Sequence, residues 1–329
     1  MKKTLLFNRS SFERLLTMED YIAAVEQAHR LHAEGKVIET NLIHADAPNG
    51  EYHIKTGGLL GEAQAYYGLK ANGGFFMNKE RHGLPNILGI IYLSDAATAY
   101  PLAVFESSLI SKMRTAAATA VAAKYLKPTG EIRLGVIGYG NQAEAQIEAL
   151  LCVMDIAEIT VSGRNMEKAA FFVDKMRSKI GISIKSAPIE LTCRNSNVLI
   201  TCTPSTEVLV ESDWISPGTF IGAIGADSPG KQELAPELMA KAKIVGDIHQ
   251  QIIKVGEAQH AIKDGLIAPS DIYGELGALV TGKLKGRSHV DEIFVYDSTG
   301  TAIQDVAAAA YVYEKLKDEP SIQHIDLFS

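Results

Sequence analysis

The chain has 329 residues, a length that suggests about two domains. Hydrophobic residues make up 47% of it and charged residues 22%, ordinary globular proportions that exclude an intrinsically disordered protein. With 32 basic and 39 acidic residues, a formal net charge of −7 and no long basic run, it is poorly suited to gripping phosphate backbones, so no nucleic-acid partner is expected.

The first third reads mainly as strands behind one helix. Residues 18–35 carry Tyr21, Ile22, Val25, Ala28 and Leu31 at helical spacing and read as an amphipathic helix. Extended stretches follow at 52–56, 66–72, 87–93 and 102–105. The last two flank Ser94-Asp95 and read as a hairpin. Residues 107–126 form an alanine-rich helix that Pro128-Thr129-Gly130 stops. From Glu131 the rhythm changes to alternation, with strands at 133–137, 158–162, 198–203, 220–224 and 243–245 and a clear helix at 166–180. Strand–helix alternation is the signature of a doubly wound parallel sheet. The tail gives a strand at 293–296 and a helix at 302–317, which could pack back on the first third.

The N-terminal apolar stretch, Leu5-Leu6-Phe7, falls short of the roughly 7–15 residues of a signal peptide core. No apolar run reaches the roughly 18 residues of a membrane span. Cys152, Cys193 and Cys202 are odd in number and lack C-x-x-C spacing, which fits a reducing compartment rather than a disulfide framework or zinc knuckle. A cytoplasmic protein with no membrane partner is expected.

The most informative local motif is Gly138-Tyr139-Gly140-Asn141-Gln142-Ala143, a G-x-G-x-x-A that follows an apolar strand and opens a helix. Gly138 suits the tight turn, Gly140 the close approach of a pyrophosphate, and Ala143 close packing of helix on strand. The helix N-terminus offers N–H groups to the phosphates. The second strand ends Ser162-Gly163-Arg164-Asn165, without the acid that binds a ribose 2′-hydroxyl in NAD sites. Arg164 instead suits a 2′-phosphate, so NADP(H) is favoured, with NAD(H) as the alternative.

Several segments together resemble the ornithine cyclodeaminase/mu-crystallin family: Tyr67-Gly68-Leu69-Lys70, the helix start from Glu106 to Ala117, the glycine fingerprint, Ile224 to Leu234, Gly274-Glu275-Leu276-Gly277, and Tyr296 to Asp305. The resemblance covers nearly the whole chain in order. The Gly-Ala-Asp-x-Pro-Gly-Lys-Gln-Glu-Leu segment is most similar to the archaeal alanine dehydrogenase and cyclodeaminase branches. The resemblance implies a Rossmann-type domain at 114–300 inserted into a discontinuous α+β domain, 1–113 with 301–329, that binds substrate and forms a homodimer. It also implies hydride transfer between a nicotinamide and the α-carbon of a small amino or imino acid.

The same resemblance gives roles to particular residues. Lys70, among apolar neighbours in a strand, is expected to hold a substrate carboxylate and polarise a carbonyl or imine. Arg114, with its bidentate fork, is expected on that carboxylate too. Asp227, just outside the carboxyl end of a strand, is expected to move a proton at the substrate nitrogen. Lys55 departs from the pattern. Many relatives carry an arginine nearer Glu39-Thr40-Asn41-Leu42, and Lys55 is expected to supply that missing cation. Thr115, Asn165, Thr203, Gly225 and Ser298 are expected, with Asn141 and Gln142, to contact the cofactor. His249, Glu257 and His260 lack metal-ligand spacing, and no metal site is expected. Ser205 lacks a hydrolase elbow. His289 and Asp291 read as loop residues or cofactor neighbours. An amino/imino-acid oxidoreductase is the leading reading. A redox-neutral ornithine cyclodeaminase is the alternative, and a non-enzymatic mu-crystallin-like binding protein ranks third.

Overall fold

The computed structural model describes residues 3–328. It resolves into two compact units, one made of residues up to Arg114 together with those from Thr301, the other running Thr115–Gly300.

The first unit is built on a seven-stranded mixed sheet. Its order is Gln323–Ile325, Thr4–Phe7, Pro101–Glu106, Ile87–Asp95, Ala65–Gly74, Gly50–Leu60 and Val37–Ala47. The expected hairpin at 87–105 is present as an antiparallel pair. Asp95 closes its turn by accepting from the N–H groups of Ala97 and Thr98. Sequence reading missed the edge strand Val37–Ala47, whose Glu39, His44 and Asp46 interrupt any apolar alternation. It is paired to Gly50–Leu60 through a two-residue turn at Pro48-Asn49. The helices Met18–Ala33 and Ala302–Leu316 pack on one another and on this sheet. The first begins with a capping box, Thr17 with Asp20, and at the start of the second Gln304 Oε1 accepts from Thr301 N at 3.3 Å.

The second unit carries an eight-stranded sheet in which every neighbouring pair is parallel. Its order is Gly274–Glu275, Lys243–Gly246, Phe294–Asp297, Phe220–Ala223, Val198–Thr201, Ile132–Ile137, Ile156–Ser162 and Ser183–Ser186. The chain winds outward one way from Ile132–Ile137, then returns to place Val198–Thr201 on its other side. This reversal is the switch point beside which ligands bind in open α/β sheets. The central strands are buried and mostly apolar, the exposed Arg133 apart, as strands covered on both faces of a parallel sheet are. The late strand Phe294–Asp297 belongs to this sheet, between Phe220–Ala223 and Lys243–Gly246, and the chain returns to the first unit only from Thr301 on. The helix expected at 166–180 ends at Arg177. No helix among the described residues is long and apolar enough to cross a membrane.

Candidate active site

In the first unit, sheet register brings the cations together. Lys55 and Lys70 are paired directly across Gly50–Leu60 and Ala65–Gly74, so both side chains leave the same face. They and Arg114 are buried, at 5%, 4% and 5% exposure. The carboxylate facing them is Asp305, itself buried, one turn into the helix Ala302–Leu316. Lys70 Nζ lies 2.7 Å from Asp305 Oδ2, and Arg114 Nε donates to Oδ1 at 2.8 Å. Arg114 Nη1 donates to Gln304 Oε1 at 2.9 Å, and the Gln304 amide donates to His29 Nε2 at 3.0 Å. Each bond fixes the next, so the guanidinium plane is set before any ligand arrives.

The electrostatics follow from burial. Desolvation pushes the Lys70 ammonium down to about 7, against the attraction of Asp305, and the Arg114 and Lys55 charges add to the depression. Burial alone would raise the Asp305 carboxyl, but Arg114, Lys70 and Lys55 outweigh it and hold it below the usual carboxylate range. Asp305 and Gln304 carry no role in the sequence reading. The available signal was their place in the Tyr296–Asp305 family segment.

In the second unit, the strand Ile132–Ile137 runs into Gly138, whose φ of +128° is a conformation that side chains rarely adopt. A Cβ there would meet Cys202 Sγ at 2.8 Å. Gly140 differs: it is the N-cap of Asn141–Leu151, no side chain caps that helix, and a Cβ would have open space around it. An open cradle at an uncapped helix N-terminus fits a pyrophosphate. Buried oxygens without a protein partner, Ser298 Oγ, Ser162 Oγ and Gln142 Oε1, fit the same dinucleotide. Ala143 is fully buried under this helix. Arg164 is exposed just past the end of the second strand, and Asn165 caps the next helix by accepting from Lys168 N at 2.9 Å.

The loop after Phe220–Ala223 carries Gly225 and Asp227. Asp227 Oδ1 accepts from Lys231 Nζ at 2.6 Å and keeps 39% side-chain exposure. Buried Glu233 ties this loop to its neighbour. It accepts from Thr203 N at 2.7 Å and from Gly225 N at 2.8 Å. Burial pushes its carboxyl up to about 7, against the lowering effect of these hydrogen bonds and that of Thr201. Glu257 in turn accepts from the N–H groups of Glu233 and Leu234, and Asp297 from those of Glu257 and Ala258. Buried carboxylates thus order the loops that carry Thr203, Gly225 and Asp227, an arrangement sequence reading did not find. Thr115 is buried in the helix Ser107–Leu126, where its carbonyl accepts from Thr119. His249 and His260 join no metal-ligating group among the described residues.

Fold and cation cluster define an α/β chain with a dinucleotide-type sheet and an α+β unit that buries a group of cations. The model of the ornithine cyclodeaminase/mu-crystallin family matches residues 2–320, and the chain belongs to that family. It is similar to the alanine dehydrogenase of Archaeoglobus fulgidus, 38% identical over 312 residues that span 95% of each chain. It is 33% identical over 318 residues to the iminosuccinate reductase of Paracoccus denitrificans, covering 95% of this chain and 97% of that one. The Δ1-pyrroline-2-carboxylate reductase of Thermococcus litoralis, solved with NADH and L-proline, superposes with a TM-score of 0.92 at 32% identity, covering 98% of this chain and all of that one.

Proposed function

We propose that this chain is an NAD(P)-dependent amino/imino-acid oxidoreductase that transfers hydride between a nicotinamide and the α-carbon of a small amino or imino acid. One observation carries the reading: the buried cations Lys55, Lys70 and Arg114 gather beside the buried carboxylate of Asp305. A buried cation cluster of this kind attracts an anion, and a substrate carboxylate is that anion. The dehydrogenase and reductase relatives act on substrates of this kind.

Lys55, Lys70 and Arg114 hold the carboxylate. Asp305 and Gln304 position the cations rather than touch substrate. Asp227, half-buried on its loop beside Lys231, moves the proton at the substrate nitrogen. Gly138, Gly140, Asn141, Gln142 and Ala143 cradle the pyrophosphate, and Thr115, Asn165, Thr203, Gly225 and Ser298 complete the cofactor side. When bound, the nicotinamide supplies or accepts the hydride. Arg164, with no acid at the end of the second strand, supports a preference for the 2′-phosphate of NADP(H), although the Thermococcus relative was solved with NADH. Arg164→Ala is expected to raise the KM for NADPH about tenfold and leave that for NADH unchanged. Equal effects on both cofactors would remove the preference.

The first unit also offers a dimer surface. Ile43, Tyr52, Leu88 and Ile90 sit on the sheet face opposite Lys55 and Lys70, each 41–53% exposed. An apolar sheet face of this kind marks an interface, and we assign it to a homodimer.

The test is nicotinamide absorbance with purified protein, NADPH or NADH, and a panel of 2-keto acids with ammonia beside preformed cyclic imines. Consumption with one substrate class is expected. No consumption anywhere, with proline formed from ornithine and catalytic NAD⁺, would replace the reading with a cyclodeaminase.

A further inference from the structure

On the same sheet face, one step along from Lys55, the hairpin Val37–Ala47 and Gly50–Leu60 gathers a second polar cluster. His44 and His53 are directly opposite each other in register, and the next pair is Asp46 with Glu51. Opposed residues share a face, and so do residues two apart on a strand, so all four side chains leave together. The imidazole rings meet edge to face, with centroids 4.8 Å apart. Glu51 lies between them, Oε1 at 3.2 Å from His53 Nε2 and Oε2 at 3.8 Å from His44 Nε2. Asp46 Oδ1 is 3.2 Å from His44 Nε2. The ligand atoms of His44, Glu51 and His53 lie within 4.8 Å of one another.

We propose that this hairpin binds one zinc ion through His44 Nε2, His53 Nε2 and Glu51, with water in the fourth position and the Asp46 carboxylate beside His44. Two ligands about 2.1 Å from a zinc ion at a tetrahedral angle are about 3.4 Å apart. Glu51 reaches the two imidazoles with its two oxygens separately, at 3.2 and 3.8 Å, and one ligand atom from each residue lies within 4.8 Å of the others, so rotation of the side chains is what would close them on an ion. Charge agrees with geometry. The Glu51 carboxylate, with Asp46 close by, offsets a dication, and the nitrogen–oxygen set suits zinc better than the all-oxygen preference of magnesium. The sequence gives no H-x-x-x-H or C-x-x-C spacing here, because the ligands converge across two strands rather than along one helix. His53 is two residues from Lys55 on the same face, so the ion would also pin the strand that presents that lysine.

Isothermal titration of the full chain with zinc chloride, with magnesium chloride as control, tests the site. Expected is one zinc per chain, no response to magnesium, and affinity reduced more than about tenfold in His44→Ala, His53→Ala and Glu51→Gln. All four positions are at the surface end of the sheet, and unchanged circular dichroism would show that the variants fold. Cobalt(II) provides a second reading: intense visible bands of a tetrahedral site in the wild type, lost in His53→Ala. Absence of zinc binding in the wild type would overturn the proposal, the imidazole–carboxylate contacts then being hydrogen bonds only. Binding that persists undiminished in both histidine variants would place the ion elsewhere and overturn it equally.

Discussion

Lys55 and Lys70 stand directly opposite one another on one face of an antiparallel pair, both buried, with Asp305 as the carboxylate beside them. Like charges in this position destabilise a sheet, and burial adds a desolvation cost. An incoming carboxylate would relieve that repulsion, which is the electrostatic basis of the proposed carboxylate site.

The first expectation concerns pH. Lys70 is pushed down to about 7 in the folded protein. Below that value the ammonium attracts the substrate carboxylate, and above it the neutral amine does not. kcat/KM for an anionic substrate should therefore fall as pH rises through about 7. Lys70→Arg keeps its charge and should lose that fall, though at lower activity because the guanidinium geometry differs. Rate profiles from about pH 6 to 9 decide the matter, and a wild-type profile without the alkaline fall would count against the assignment.

Asp305→Asn removes the carboxylate and leaves the cations. Breaking a buried ion pair from one side costs on the order of 3–5 kcal/mol, and this network should lose about that much in urea unfolding. Formate or acetate should restore part of the loss, because an anion that binds only the folded state stabilises it. A variant as stable as the wild type, and indifferent to added carboxylate, would show that the cluster carries no surplus charge.

Some of this was legible in the sequence and some was not, for physical reasons. The glycine fingerprint and the central strands of the parallel sheet were readable because continuous apolar runs between glycines have few other uses. The edge strand Val37–Ala47 was not, since a polar edge lacks alternation. The resemblance singled out Lys70 and Arg114, which the structure buries beside Asp305, but Asp305 was not assigned a role, because its partners lie 191 and more residues away in the chain. Glu233 looked like part of a turn segment. Its function, accepting from Thr203 N and Gly225 N, exists only once two strands are neighbours.

The two fingerprint glycines should separate folding from cofactor binding. Gly140 has φ −89° and ψ −167°, which any residue can adopt, and open space where a Cβ would go. Gly140→Ala should fold with stability within about 0.5 kcal/mol of the wild type yet bind the nicotinamide dinucleotide at least about tenfold more weakly, because the methyl group stands where the pyrophosphate approaches. Gly138→Ala combines a strained φ with a contact on Cys202, and should lose stability as well. Thermal unfolding and cofactor fluorescence titration on the pair read the two effects. Undiminished cofactor binding by Gly140→Ala would remove this loop from the cofactor site.

Glu233 should reveal itself through the pH dependence of stability. Its carboxyl is raised from 4.5 to about 7 on folding, so between those values the folded chain holds more protons than the unfolded one. Its contribution to stability is therefore present in full below about 4.5 and is lost as pH rises through about 7. Glu233→Gln does not titrate, so its loss of stability relative to the wild type should be larger at about pH 5 than at about pH 7.5. Asp297 and Glu257 are raised by burial too and remain in the variant, so part of the slope persists. A glutamine carbonyl can accept from only one side of the pair of N–H groups of Thr203 and Gly225, so the loop bearing Asp227 should loosen as well. Turnover would then fall more than cofactor affinity. Equal destabilisation at both pH values, with turnover intact, would show that Glu233 neither titrates in this range nor positions Asp227.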